Sequence, residues 1–165
     1  MKKILFVTNT LGVGGAEQAL LELLDILNTE EYAIDLFALL SRGEMLVRVP
    51  KHVRLLNKRA DKGSVHDSVG RWALARMAAS SFFRNGGWAG KLGVVLRSLP
   101  PMLRCRRVQP DKLLWRVVSD GAVRFSEEYD TAIAWIEGGS AYFVADHVRA
   151  REKLAVVHID YEKSG

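Results

Sequence analysis

In 165 residues the chain has a single cysteine, Cys105. That excludes an internal disulfide and fits a reducing compartment. Set among Arg104, Arg106 and Arg107, Cys105 reads as an incidental thiol. No apolar run approaches the roughly 18 residues that a membrane span needs. Residues 4–7 follow Lys2-Lys3 as the core of a signal peptide would, but the run is short and is broken by Thr8-Asn9-Thr10, so it reads as a strand. His52, His66 and His147 have no partner at metal-ligand spacing, so no metal site is expected. Acidic side chains are scarce in the middle of the chain. Between Arg42 and Arg116 stand 17 Lys and Arg against only Glu44, Asp61, Asp67 and Asp111, a local balance of +13, while the remainder carries −8. The basic charge is therefore regional.

What is present begins with the N-terminal stretch. Residues 4–7 form a short apolar run rich in branched side chains, residues 8–15 a polar and glycine-bearing turn, and residues 16–27 an apolar pattern at helical spacing. This is a buried strand feeding a helix. The glycines let another molecule approach the main chain, and a helix starting near Gly15 aims its free N–H groups at whatever lies over the turn. The turn is not a dinucleotide fingerprint. It runs Gly12-x-Gly14-x-x-Glu17, without the third glycine, and no carboxylate stands at Leu39, Leu40 or Ser41 to hold a ribose. Nor is it a phosphate-cradling P-loop, since no Gly-Lys-Ser/Thr follows.

Further along, strand and helix patterns alternate. Residues 32–40 read as a second buried strand, 53–56 as a third, 129–135 as a fourth and 154–157 as a last one. Helical patterns fill 66–108, start again at Pro110 with Asp111 as cap, and return over 141–146 after the polar turn 137–140. At 165 residues this is one domain's worth, large enough to bury a core. The fold class expected is α/β, a Rossmann-like doubly wound parallel sheet in a single domain. Ligands bind such sheets beyond the carboxyl ends of the strands, at the switch point. Three segments are expected to converge there: residues 11–17, 137–140 and 158–161.

Gly14-Gly15-Ala16-Glu17, followed by Leu20, Leu21, Leu23 and Leu24, resembles the opening of the retaining glycosyltransferases of family 4, which have the GT-B architecture. The strand ending in His158-Ile159-Asp160 resembles that family's His-x-Asp. The resemblance implies that residues 1–165 are the N-terminal, acceptor-side half of an enzyme moving a sugar from a nucleotide-sugar, with retention, to a glycan or lipid-linked acceptor in cell-envelope or polysaccharide synthesis. Gly14 and Gly15 would then lie near the donor diphosphate, and His158 would be the catalytic residue facing the transferred sugar. Glu17, Glu137 and Asp160 would be acceptor-side hydrogen-bond partners, and no metal or other cofactor is implied. The second nucleotide-sugar-binding domain of that architecture, with its Glu-x7-Glu signature, is not in these residues. The expectation is an excised or truncated domain, inactive by itself. Plainer roles stand beside these: glycines for tight packing, and Glu17 as a first-turn carboxylate favoured by the helix dipole.

The region 66–108 has two readings. In one, Val69, Trp72, Ala73, Met77 and Ala78 pack a helix on the sheet, with Arg71 and Arg76 solvated. In the other, the basic residues Arg71, Arg76, Arg97, Arg104, Arg106 and Arg107, interleaved with aromatics, dock an anionic membrane surface or acceptor. The expected location is cytoplasmic, peripheral at the inner face of the membrane. No nucleic-acid-binding module is recognisable, so nucleic acid is not an expected partner. The alternative to an enzyme half is a stand-alone Rossmann-like ligand-binding or membrane-docking module without catalysis.

Overall fold

β1 (Lys2–Thr8) is buried from Leu5 to Thr8 on both sides of the strand, which is the mark of a central strand in a covered parallel sheet. A computed structural model describes residues 1–57, 61–64, 68–84, 92, 93, 96 and 110–158. After β1 come α1 (Gly15–Ile26), β2 (Tyr32–Ala38), a short 3-10 helix (Glu44–Arg48), β3 (Arg54–Leu55), α2 (Ser68–Phe83), α3 (Pro110–Gly121), β4 (Glu128–Ala134), α4 (Gly139–His147) and β5 (Arg149–Ala155). The sheet has five strands in the order β3-β2-β1-β4-β5, and every pairing is parallel. The chain is therefore of α/β class with a Rossmann-like strand order.

Period-two alternation sorts the core into two layers. Leu5, Val7, Phe37, Ala132 and Ala134 pack with Val118 of α3 and Phe143 and Val144 of α4. On the opposite face Phe6, Ile34 and Leu36 meet Leu20, Leu21 and Leu24 of α1 and Met45 and Leu46 of the 3-10 helix. The sheet grows one way from β1 to β3 and then back through β4 to β5. The switch point consequently lies between the carboxyl ends of β1 and β4.

A buried polar group on the first face ties three strands. Asp35 of β2 accepts two bonds from Arg54 of β3, at 2.7 and 2.6 Å, and one at 2.8 Å from the Tyr129 hydroxyl of β4. The carboxylate raises the Arg54 pKa above its usual range, first by hydrogen bonding and then by its charge. Burial, followed by the bond to Asp35, raises the Tyr129 pKa.

Two sequence expectations are corrected. β5 begins at Arg149, five residues before the expected Leu154, because it is an edge strand exposed along most of its length and carries no apolar run to mark its start. Val69 and Trp72 do not pack on the sheet; they are 69% and 74% exposed, on the same side of α2 as Arg76. Among the described residues no helix is long and apolar enough to cross a membrane.

Candidate functional site

Asn9, the first residue past β1, is buried, and its side chain spans the switch point. Its Oδ1 accepts the Ser140 N–H at 2.8 Å and its Nδ2 donates to the Glu137 carbonyl at 2.8 Å. Gly138, which precedes α4, has no side chain to cap that helix. Asn9 supplies the cap from another strand, satisfying a first-turn N–H that is otherwise without an intrahelical partner. Gly139 makes the approach possible: a Cβ there would stand 2.7 Å from Leu39 Cδ1, 2.7 Å from Trp115 Cε3 and 3.0 Å from Asn9 Oδ1. The polar turn at 137–140 is thus a welded joint.

A second strut runs the other way. Trp135, just past β4, donates from Nε1 to the Ala16 carbonyl at 2.7 Å, holding the first turn of α1. The turn is also braced from behind. Leu11 N–H donates to the Arg42 carbonyl at 3.2 Å, Met45 N–H donates to the Leu11 carbonyl at 3.0 Å, and Gly43 lies against this backbone with φ at +155°. A side chain at Gly43 would enter the Leu11 carbonyl, so glycine is required for both reasons. Arg42 itself is buried, donates to the Ser64 carbonyl at 2.8 Å and pairs with Asp61.

The two glycines of the α1 turn differ in their surroundings. A Cβ at Gly15 would meet nothing within 4 Å, so packing does not require glycine there. At Gly14 the neighbour is the Glu17 carboxylate, folded back over the start of α1. A first-turn carboxylate is favoured by the helix dipole. Glu17 therefore stands where an incoming anion would be drawn, and an anion would displace it.

His158 follows β5 at the same end of the sheet. Its backbone N–H donates to Glu137 Oε1, and its ring lies 5.5 Å from that of Trp135. Nε2 sits 2.9 Å from the Trp135 carbonyl. A carbonyl only accepts, so Nε2 carries the hydrogen, and the neutral ring offers Nδ1 as an acceptor. Toward a hydroxyl group, neutral His158 accepts; it donates from Nδ1 only as imidazolium.

Compared with protein-family models, curated proteins and solved structures, the chain matches none.

Of the residues singled out in the sequence, Gly14, Gly15, Glu17, Glu137 and His158 lie at this one end of the sheet, linked through Asn9 and Trp135. Asp160, Arg97, Arg104, Arg106 and Arg107 lie outside the described residues. Arg71 is in α2, but its side chain is not among those described, and Arg76 is exposed. Sequence reasoning missed Asn9 and Trp135. The signal for each is its position: a side chain with hydrogen-bonding atoms one residue beyond a buried parallel strand. Among the described residues no group of three or more His, Cys, Asp or Glu is placed to hold a metal ion.

A cavity of about 520 Å³ lies at the amino ends of β4 and β5, away from the switch point, lined by Glu128, Tyr129, Asp130, Arg149, Arg151 and Lys153 among others. Three of its charges are already engaged: Asp130 accepts the Lys3 backbone N–H at 2.8 Å and stands 3.5 Å from Arg151, while Lys153 donates to the Ala145 carbonyl at 2.7 Å. The switch point, with open space at Gly15 and a His158 Nδ1 that meets no partner among the described residues, is the better candidate.

Proposed function

We propose that this chain is the N-terminal, acceptor-side half of a GT-B retaining glycosyltransferase of family 4. The enzyme would transfer a sugar from a nucleotide-sugar to a glycan or lipid-linked acceptor. One observation carries the reading. Gly14-Gly15-Ala16-Glu17 and His158, which belong to the two stretches that resemble the family, lie more than a hundred residues apart in sequence and stand at the carboxyl end of one sheet, His158 three residues past β5.

In this reading the donor diphosphate approaches the start of α1 over Gly15, where there is open space, and displaces the Glu17 carboxylate from Gly14. The N–H groups there and the positive end of the helix stabilise the charge that builds on the departing diphosphate. Glu17, once released, and Glu137 are acceptors for sugar hydroxyls, and Asp160 joins them by sequence position. His158, with Nε2 held by the Trp135 carbonyl, takes a hydroxyl of the transferred sugar on Nδ1. The second nucleotide-binding domain is the partner such chemistry requires.

The test is to express the complete reading frame and assay it against a panel of nucleotide-sugars and glycan or lipid-linked acceptors. Transfer with retained anomeric configuration, abolished by His158→Ala and by Gly15→Leu, is expected. A reading frame that adds no second nucleotide-binding domain would overturn the proposal and favour a stand-alone ligand-binding module. Residues 1–165 expressed alone are expected to show no turnover.

A further inference from the structure

His158 is exposed and stands three residues past β5, and the last ladder bond before it runs from the Val156 N–H to the Ala134 carbonyl at 2.8 Å. Strand pairing therefore does not set its position. Two hydrogen bonds do, and both reach the same turn. Glu137 Oε1 accepts the His158 backbone N–H, and the Trp135 carbonyl accepts from Nε2 at 2.9 Å. The turn is itself tied down at both residues. The Trp135 N–H donates to the Val7 carbonyl at 2.8 Å, and the Glu137 carbonyl accepts from Asn9 Nδ2 at 2.8 Å.

The two bonds do different things. A peptide N–H held by a carboxylate makes a charge-assisted bond, stronger than a neutral one, and it fixes where the His158 side chain leaves the backbone. The Trp135 carbonyl then fixes the ring, because an acceptor at Nε2 selects the tautomer with its hydrogen there. Without the first anchor an exposed side chain regains its rotamers, Nε2 leaves the carbonyl, and the selection of tautomer goes with it. We propose that Glu137 is a positioning residue for His158, acting through the peptide N–H to hold the ring as the Nε2–H tautomer with Nδ1 as acceptor. This gives the carboxylate a task besides accepting sugar hydroxyls. Its use in catalysis rests on the transferase reading, in which His158 takes a hydroxyl on Nδ1 and alignment made beforehand lowers the barrier. The clamp itself does not.

The experiment is nuclear magnetic resonance on the nitrogen-15-labelled chain, with His158→Gln to assign the His158 signals among those of the four histidines. Two readouts are taken. The ring nitrogen shifts, recorded at about pH 8.5 and so above the usual imidazole pKa, separate a protonated from an unprotonated nitrogen. Hydrogen exchange of the His158 amide, at neutral pH, reports the bond to Glu137. The parent is expected to carry the ring hydrogen on Nε2. Glu137→Ala should draw the two ring shifts toward each other as the tautomers mix, and should speed amide exchange by about tenfold, the loss of one charge-assisted bond. Glu137→Gln keeps a side-chain oxygen as acceptor and should keep the Nε2–H signature. Both variants retain the backbone carbonyl that Asn9 holds. The proposal is overturned if the parent ring carries its hydrogen on Nδ1 or mixes tautomers, if Glu137→Ala leaves either readout at its parent value, or if Glu137→Gln loses the signature. Neither readout involves a nucleotide-sugar. Absence of transfer by the complete reading frame would therefore remove the transferase reading and leave the clamp, while a failed clamp would leave the transferase reading.

Discussion

Asn9 Oδ1 accepts the Ser140 N–H at 2.8 Å, so a residue just past the first strand caps a helix that begins 130 residues later. The same side chain donates to the Glu137 carbonyl. Its removal strands a helix N–H and a carbonyl together. Asn9→Ala is expected to lower unfolding stability by about 2 kcal/mol, as for loss of a cap with a buried partner left unsatisfied. Asn9→Asp keeps the acceptor but loses the donor, and should also destabilise. Urea unfolding followed by circular dichroism measures both, and a change under about 0.5 kcal/mol for Asn9→Ala would remove Asn9 from its role as the strut.

Two glycines of the same site should respond oppositely to one methyl group. Gly139→Ala drives a Cβ into Leu39 and Trp115 and should cost about 1–3 kcal/mol, the range for overpacking. Gly15→Ala enters open space at the first residue of α1, so stability should hold or rise by up to about 1 kcal/mol. Thermal midpoints of the two variants, measured side by side, decide this. A Gly15→Ala variant as unstable as Gly139→Ala would return Gly15 to the role of a packing residue.

The Tyr129 hydroxyl gives a prediction with a pH axis. Folding raises its pKa, chiefly through burial and then through the bond to Asp35. The folded state therefore binds this proton more tightly than the unfolded state. The stabilisation is complete below the ordinary phenol value of about 10 and is lost as the pH climbs above it. Tyr129→Phe should be about 1–2 kcal/mol less stable than the parent at pH 7, because Asp35 loses a donor. The gap should narrow above pH 10. Guanidinium melts at pH 7 and pH 10.5 would show it, and a gap that widens with pH contradicts the assignment.

Arg54→Met tests the other half of that group. Asp35 is buried, and Arg54 supplies two of its three donors. Removing the partner leaves a buried carboxylate held only by Tyr129, which typically costs about 3 kcal/mol when the pair is sequestered. Because the Arg54 side chain is itself more than half exposed, the expected loss here is nearer about 1.5 kcal/mol. Double-mutant cycles with Tyr129→Phe should reveal coupling between the two positions.

The parts of the fold most legible in the sequence are those with apolar residues on both faces. β1, β2 and β4 carry apolar residues on both faces, and the leucines of α1 repeat at helical spacing, so pattern alone locates them. β5 escaped in part because Arg149, Arg151, Glu152 and Lys153 face solvent on an edge and give no burial signal. α2 misleads for a related reason: Val69 and Trp72 are apolar yet lie exposed, while the contact with α3 runs past the Ser81 backbone at Gly121. The ends of the site could be placed from topology, which brings 11–17, 137–140 and residue 158 to one end of the sheet. The bonds that join them, from Asn9 to Ser140 and from Trp135 to Ala16, depend on side chains meeting across more than a hundred residues. No local pattern encodes such a meeting.

β1 is both the first strand in the chain and the middle strand of the sheet, with β2 on one side and β4 on the other. During synthesis β2 is available soon after β1, but residues 128–134 arrive only after another ninety have been added. At the usual 5–20 residues per second that is an interval of about 5–20 seconds. Through it this central strand, buried from Leu5 to Thr8 in the folded chain, keeps one row of N–H and C=O groups open to any extended chain nearby. The nascent polypeptide is therefore expected to depend on chaperones until β4 emerges, and a ribosome stalled between Ala38 and Glu128 should leave a product that aggregates.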